Sequence, residues 1–110
     1  MNGDKELLEG SRRQVSAGQY RVRIHAVRHM IEEGFSEEEI VSALTGKSKV
    51  IEHYHDESRC LVLGHFGSGG ARSPLHVVCD YSLKGLVDII TAYIPQKPWW
   101  VTPTRRGGLR

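Results

Sequence analysis

The chain has 110 residues, 39% of them apolar and 25% charged, with a formal net charge of +2. That length supports one hydrophobic core rather than two; no apolar run nears the roughly 18 residues of a membrane span, and "MNGDKELLEG" is too polar for a signal peptide, so a single cytoplasmic domain is expected. The charge is uneven: residues 1–58 hold 8 Lys/Arg against 11 Asp/Glu (net −3), and residues 59–110 hold 7 against 2 (net +5), a basic half suited to phosphate contacts.

Asp4 is placed to cap a first helix running to about Ala17, with Gly18 as its stop. "YRVRI" (20–24) alternates apolar and basic residues and reads as a short extended lead-in. From His25 the period changes, because Val27, Met30, Ile31 and Gly34 recur as one face of a helix that Gly34 ends. Ser36 and Glu39 form a capping box for the next helix, whose core stripe is Ile40, Val41 and Leu44 and whose end is Gly46.

Beyond Gly46 the pattern is strand-like, with strands expected at 48–55, 60–66, 75–82 and 86–94. The links "DESR", "GSGGARSP" and "LKG" are short, which favours antiparallel neighbours in a meander. The inner strands are apolar on both faces for part of their length, so both faces of the sheet are expected to be partly covered. The fold class is therefore α+β, with two to three N-terminal helices packed on a four-stranded antiparallel sheet. Residues 1–100 form the domain, and residues 101–110, with Arg105, Arg106 and Arg110, read as a flexible basic tail. Cys60 and Cys79 lie in apolar runs and read as small buried hydrophobes; neither a disulfide framework nor a cysteine zinc spacing is present.

The chemistry concentrates in "HAVRHM". On a helix, His25, Arg28, His29 and Glu32 project opposite the Val27–Met30–Ile31 stripe and would face solvent or a partner. His25 and His29 have the i, i+4 spacing of a zinc helix. However, the residues between them are "AVR", which lack the glutamate of that motif and add a repelling cation, so no metal or other cofactor is expected. The chain holds 6 histidines, and two neutral-range histidines can serve as base and acid. RNA cleavage needs that pair, to deprotonate the 2′-hydroxyl and protonate the 5′-oxygen, together with cations for the phosphorane. His76 in "SPLHVV" is the second candidate; Tyr54, Tyr93, Trp99 and Trp100 are candidates for stacking on bases.

Taken in order, "HAVRHMIEEGFSEEEI", "GKSKVIEHYHDE", "CLVLGHF", "PLHVV" and "IITAYIPQKPWW" resemble the motifs of a widespread prokaryotic family of small proteins of unknown function, over roughly residues 20–100. That family in turn resembles the RelE, MqsR and barnase-like toxin nucleases. The resemblance implies a RelE-like fold and the toxin of a toxin–antitoxin system. Such a toxin is a metal-independent RNA endonuclease acting on free or ribosome-bound RNA, held inactive by a cognate antitoxin of the zinc-finger kind. His25, Glu52, Tyr54, His76, Tyr93 and Trp99 match the family's motif positions, whereas His29 and Glu33 stand where arginines are usual. On this reading His25 and His76 are the acid and base, and Arg28, His29, Tyr54 and Tyr93 bind substrate. The alternative is a non-enzymatic interaction or regulatory module of the same fold.

Overall fold

A computed structural model describes residues 3–67, 72–96 and 99–107. Residues 68–71 of the expected glycine-rich link, Lys97 and Pro98, and Arg110 lie outside them. The chain opens with helix α1 (Gly3–Ser16), a short strand β1 (Tyr20–Val22), and helices α2 (Ile24–Glu33) and α3 (Glu37–Thr45). Strand β2 (Lys49–Tyr54), a 3₁₀ turn (His55–Glu57), and strands β3 (Arg59–Phe66), β4 (Ser73–Asp80) and β5 (Val87–Tyr93) follow. A short hairpin, β6 (Trp100–Thr102) and β7 (Arg105–Arg106), closes the described chain.

The helix boundaries follow the capping chemistry. Gly34 adopts φ +81° and donates its N–H to the Met30 carbonyl, ending α2 in the left-handed geometry that glycine reaches without steric cost. At α3 the Glu39 N–H donates to Ser36 Oγ at 3.2 Å, and the Ser36 N–H donates to Glu39 Oε1 at 2.9 Å. The expected capping box is complete.

Strands β2 to β5 form the expected antiparallel meander, but the sheet has five strands in the order β1-β5-β4-β3-β2. The four-stranded, wholly antiparallel expectation is thus corrected. The extended lead-in Tyr20–Val22 joins the sheet edge parallel to β5, with Tyr20 opposite Val87 and Val22 opposite Ile89. Arg21 secures this pairing through Asp88, Nε to Oδ1 at 2.6 Å, and the Arg23 N–H extends it to the Ile89 carbonyl.

Directly opposed residues of an antiparallel pair share a face, so the register separates the two sides of the sheet. Cys60, Val62 and Gly64 of β3 face the helices with their partners Cys79, Val77 and Leu75 of β4. Ile40, Ala43 and Leu44 of α3, Val15 of α1 and Ala26 of α2 complete that core. Full burial of each large aliphatic residue there contributes about 1.5–3 kcal/mol. On the other side, Lys49, Leu63, His76 and Tyr93 form one row across β2, β3, β4 and β5. The β6–β7 hairpin lies over this side, with Trp100 buried. Residues 101–107, expected to trail as a basic tail, are instead part of the domain.

The helix α2 departs from expectation in its rotation. Ala26 is fully buried while Ile24 and Ile31 are 68% and 78% exposed, so the inward face is Ala26, His29, Met30 and Glu33 rather than Val27, Met30 and Ile31. Two features set this angle. Alanine at position 26 lets the helix lie close on β5, and the Glu33 side chain accepts the Ile94 N–H at 2.8 Å just past the end of β5. The packed alanine and the hydrogen-bonded carboxylate are seven positions apart on one face, which fixes the helix about its axis.

At Gly64 the backbone of α3 rests directly on β3. A Cβ there would lie 2.7 Å from the Ala43 carbonyl carbon and closer still to its oxygen. Gly64→Ala is expected to destabilise the fold by about 2–3 kcal/mol or more, because backbone rather than a flexible side chain must yield. A thermal melt checks this, and an unchanged melting temperature would show that α3 does not bear on Gly64.

Candidate functional site

At the end of the sheet where β5 finishes, α2 and the β6–β7 hairpin wall a cleft of about 390 Å³. His29 and Glu33 stand on one wall, Tyr93 forms the floor, and Trp99, Trp100 and Arg106 form the other wall. His29 Nδ1 lies 2.6 Å from Glu33 Oε2. A carboxylate can only accept, so Nδ1 carries the hydrogen; Nε2 has no hydrogen-bond partner among the described residues, and in the neutral ring it is the nitrogen with the lone pair. Glu33 is held in turn by the Ile94 N–H, so the imidazole is aimed by a carboxylate that is itself anchored to backbone. The His29 and Tyr93 rings lie 6.2 Å apart.

Behind the cleft sits His76. It is 0% exposed, and its Nε2 lies 2.6 Å from the Pro103 carbonyl oxygen, which can only accept. Nε2 therefore carries the hydrogen of the neutral ring, and Nδ1 accepts from the Tyr93 hydroxyl at 3.3 Å. The Tyr93 and Trp100 rings meet the imidazole edge-on, with centroids 5.2 and 4.3 Å away. Burial lowers the His76 pKa against a smaller raising effect of its bond to Pro103. Burial likewise raises the Tyr93 pKa, opposed by a hydrogen bond from Trp100.

Arg106 joins the cleft to a second group. Its guanidinium grips Glu52 through two 2.8 Å bonds and lies 4.7 Å from the centre of the Trp100 ring. Glu52 also accepts the hydroxyl of Tyr54. The Arg106 contact holds the Glu52 carboxyl below its usual range, and Glu52 raises the Arg106 pKa. Burial, with the bond to Glu52, raises that of Tyr54.

The fold thus brings together four of the six residues singled out in the sequence: His29, His76, Tyr93 and, through Glu52 and Arg106, Tyr54. It does not bring His25 or Arg28 there. Both are exposed on α2, with no hydrogen bond, ion pair or ring contact among the described residues. The rotation of α2 exchanges roles within the opening motif, since His29 turns to the cleft while His25 stays outside. His25 and His76 therefore do not form a pair, and His76 is fully enclosed, so it reaches a ligand only through Tyr93. The sequence reading gave no site role to two groups. Glu33 was visible as the i+4 carboxylate to His29, whereas Arg106 carried no signal that set it apart from a tail; Trp100, singled out for stacking on bases, is instead buried against His76.

The remaining histidine cluster lies away from the cleft. His53 bridges Asp4 (Nδ1 to Oδ1, 2.7 Å) and the Tyr81 hydroxyl (Nε2, 2.5 Å) and stacks on His55 at 3.7 Å. Among the described residues no group of three or more His, Cys, Asp or Glu side chains is arranged to hold a metal ion, and no helix is long and apolar enough to cross a membrane.

The buried imidazole has a consequence for stability. His76 has a native pKa below its unfolded value of about 6.5, so the unfolded chain binds the extra proton first as pH falls. Its contribution is complete above about pH 6.5 and is lost as pH drops through the native value. His76→Gln keeps a neutral hydrogen-bonding side chain and removes that proton. Its melting temperature is expected to change less between about pH 7 and pH 5 than the wild type's. Equal slopes in thermal melts of the two proteins would remove His76 from the account.

Residues 23–94 match a family model described as "Domain of unknown function (DUF4258)". No curated protein and no solved structure matches the chain. The matched span runs from the start of α2 to the end of β5 and includes His29, Glu33, Glu52, Tyr54, His76 and Tyr93, while Trp99, Trp100 and Arg106 lie beyond it. With well over half of its length inside that span, the chain belongs to the DUF4258 family.

Proposed function

We propose that this protein is a metal-independent RNA endonuclease, the toxin of a toxin–antitoxin pair, and that its chemistry is centred on His29 in the cleft. The observation that carries the reading is the His29–Glu33 pair. A carboxylate fixes one imidazole nitrogen and leaves the other unpartnered toward a cleft that also holds a phenol and a guanidinium. That is the arrangement of a general base beside an anion stabiliser. The ordered motifs resemble those of a family of unknown function whose own likeness to toxin nucleases supports the same reading.

In this mechanism His29 Nε2 takes the proton of the ribose 2′-hydroxyl, and the 2′-oxygen forms its bond to phosphorus. Arg106 stabilises the charge that develops on the phosphorane. As the bond to the 5′-oxygen breaks, the Tyr93 hydroxyl turns from His76 and gives that oxygen a proton. The raised Tyr93 pKa keeps the phenol protonated for this step. Trp99, 64% exposed at the rim, offers its face to a flanking base. His76 is a positioning residue that holds Tyr93 from behind.

A second reading is favoured by one observation. Glu52 already balances the Arg106 charge, which suits a cleft that binds its partner without cleaving it.

Purified protein incubated with single-stranded RNA, with and without ribosomes, is expected to cleave it equally well in chelator. His29→Ala should lower the rate by about 10²–10⁴-fold while its melt shifts by no more than about 1 kcal/mol. His25→Ala should cleave like the wild type. Intact RNA under every condition would leave the binding module, and equal loss in both variants would return the role to the exposed face of α2.

A further inference from the structure

A second cleft, of about 340 Å³, lies away from the first and is lined by Arg12, Lys47, Ser48, Lys49, Leu63 and His65. No carboxylate lines it. Arg12 reaches it from α1, donating Nη2 to the Ser48 carbonyl at 3.0 Å and to Ser48 Oγ at 3.1 Å. The Ser48 hydroxyl donates to the Leu44 carbonyl at 3.0 Å, so it meets Arg12 with a lone pair and cannot turn away. Arg12 Nε is buried without a hydrogen-bond partner.

The charges are unbalanced. Arg21, Arg59 and Arg106 each meet a carboxylate. Arg12, Lys47 and Lys49 make no ion pair among the described residues, although Asp4 and Glu9 line the adjoining groove. Three cations with no carboxylate among them leave the cleft electropositive, which favours an anion there. His65 lies two residues along β3 from Leu63, on the same side of the sheet as Lys49, and adds a ring N–H donor.

We propose that this cleft is a phosphate-binding site, in which the Lys47 and Lys49 ammoniums and the Arg12 guanidinium hold the oxygens of a phosphate group and His65 donates a further hydrogen bond. The phosphate belongs either to a small phosphorylated molecule or to a nucleic-acid backbone. The site stands on its own residues and does not require the cleft at His29 to be catalytic.

The test is an amide NMR titration of the full chain with inorganic phosphate, against potassium chloride at equal ionic strength. Saturable shifts are expected at Ser48, Lys49 and His65 with phosphate and not with chloride. Both lysines are exposed, so Lys47→Gln/Lys49→Gln should keep the spectrum of the fold and weaken binding about tenfold or more. His65→Gln should weaken it less. A short oligonucleotide without terminal phosphates is the second probe. Competition with phosphate assigns the site to a backbone phosphodiester, and no competition assigns it to a small phosphorylated ligand. Chloride reproducing the phosphate shifts, or the double variant binding phosphate as tightly as the wild type, would overturn the proposal. RNA cleavage by a protein that fails this test leaves the His29 reading intact, and phosphate binding by a protein that leaves RNA whole leaves this one intact.

Discussion

A fully enclosed imidazole must find partners for both of its nitrogens, and at His76 that requirement organises one whole side of the molecule. Its N–H needs an acceptor above the sheet, and the Pro103 carbonyl supplies it from the turn of the β6–β7 hairpin. Leaving that donor unpaired would cost about 1–3 kcal/mol, a substantial share of the stability of a small domain. The hairpin therefore cannot float, and docking it sets Trp100 on the imidazole edge and brings Arg106 to Glu52. The cleft is the seam that results between this hairpin and α2. Its chemistry is thus positioned by a bond that does not itself touch the space enclosed.

The two sides of the sheet divide the work. On the helix side, small residues at Gly64, Ala43 and Ala26 let backbones approach closely, and the apolar cluster there is continuous. On the hairpin side, polar groups meet in pairs: the buried His76 with Tyr93, Glu52 with the exposed Arg106, and Asp80 with Arg59. Strands β3 and β4 carry both patterns by alternation, which is why they read as apolar runs with a histidine or aspartate placed among them.

What the residues disclosed on their own follows the range of the forces involved. Caps and stops are local, so the Ser36–Glu39 box and Gly34 could be read directly. The meander was legible because its links are short. The parallel pairing of β1 with β5 was not, since it joins Tyr20 to Val87 across the intervening helices and strands. The rotation of α2 was hidden for a similar reason. Hydrophobic periodicity favoured Ile31, whereas a bond from Ile94, sixty-one residues beyond Glu33, selected the face that carries His29. Tyr54, His76 and Tyr93 stood out through ordered motifs; Arg106 did not, because only its landing on Glu52 distinguishes it from a solvated arginine.

The open sheet also has two borders, and both are poorly suited to recruiting another strand. Strand β1 is three residues long with Arg21 at its centre and Arg23 just past its end, and β2 carries Lys49 and a register shift between Val50 and Glu52. Short length, charge and a bulge each spoil the straight, unpaired ladder that edge-to-edge growth requires. The hairpin lies across one face rather than extending either border, so it adds cover without adding an edge to the main sheet. A chain with apolar runs as long as "CLVLGHF" and "LHVVCDY" is thereby guarded against polymerisation by the geometry of its outermost strands.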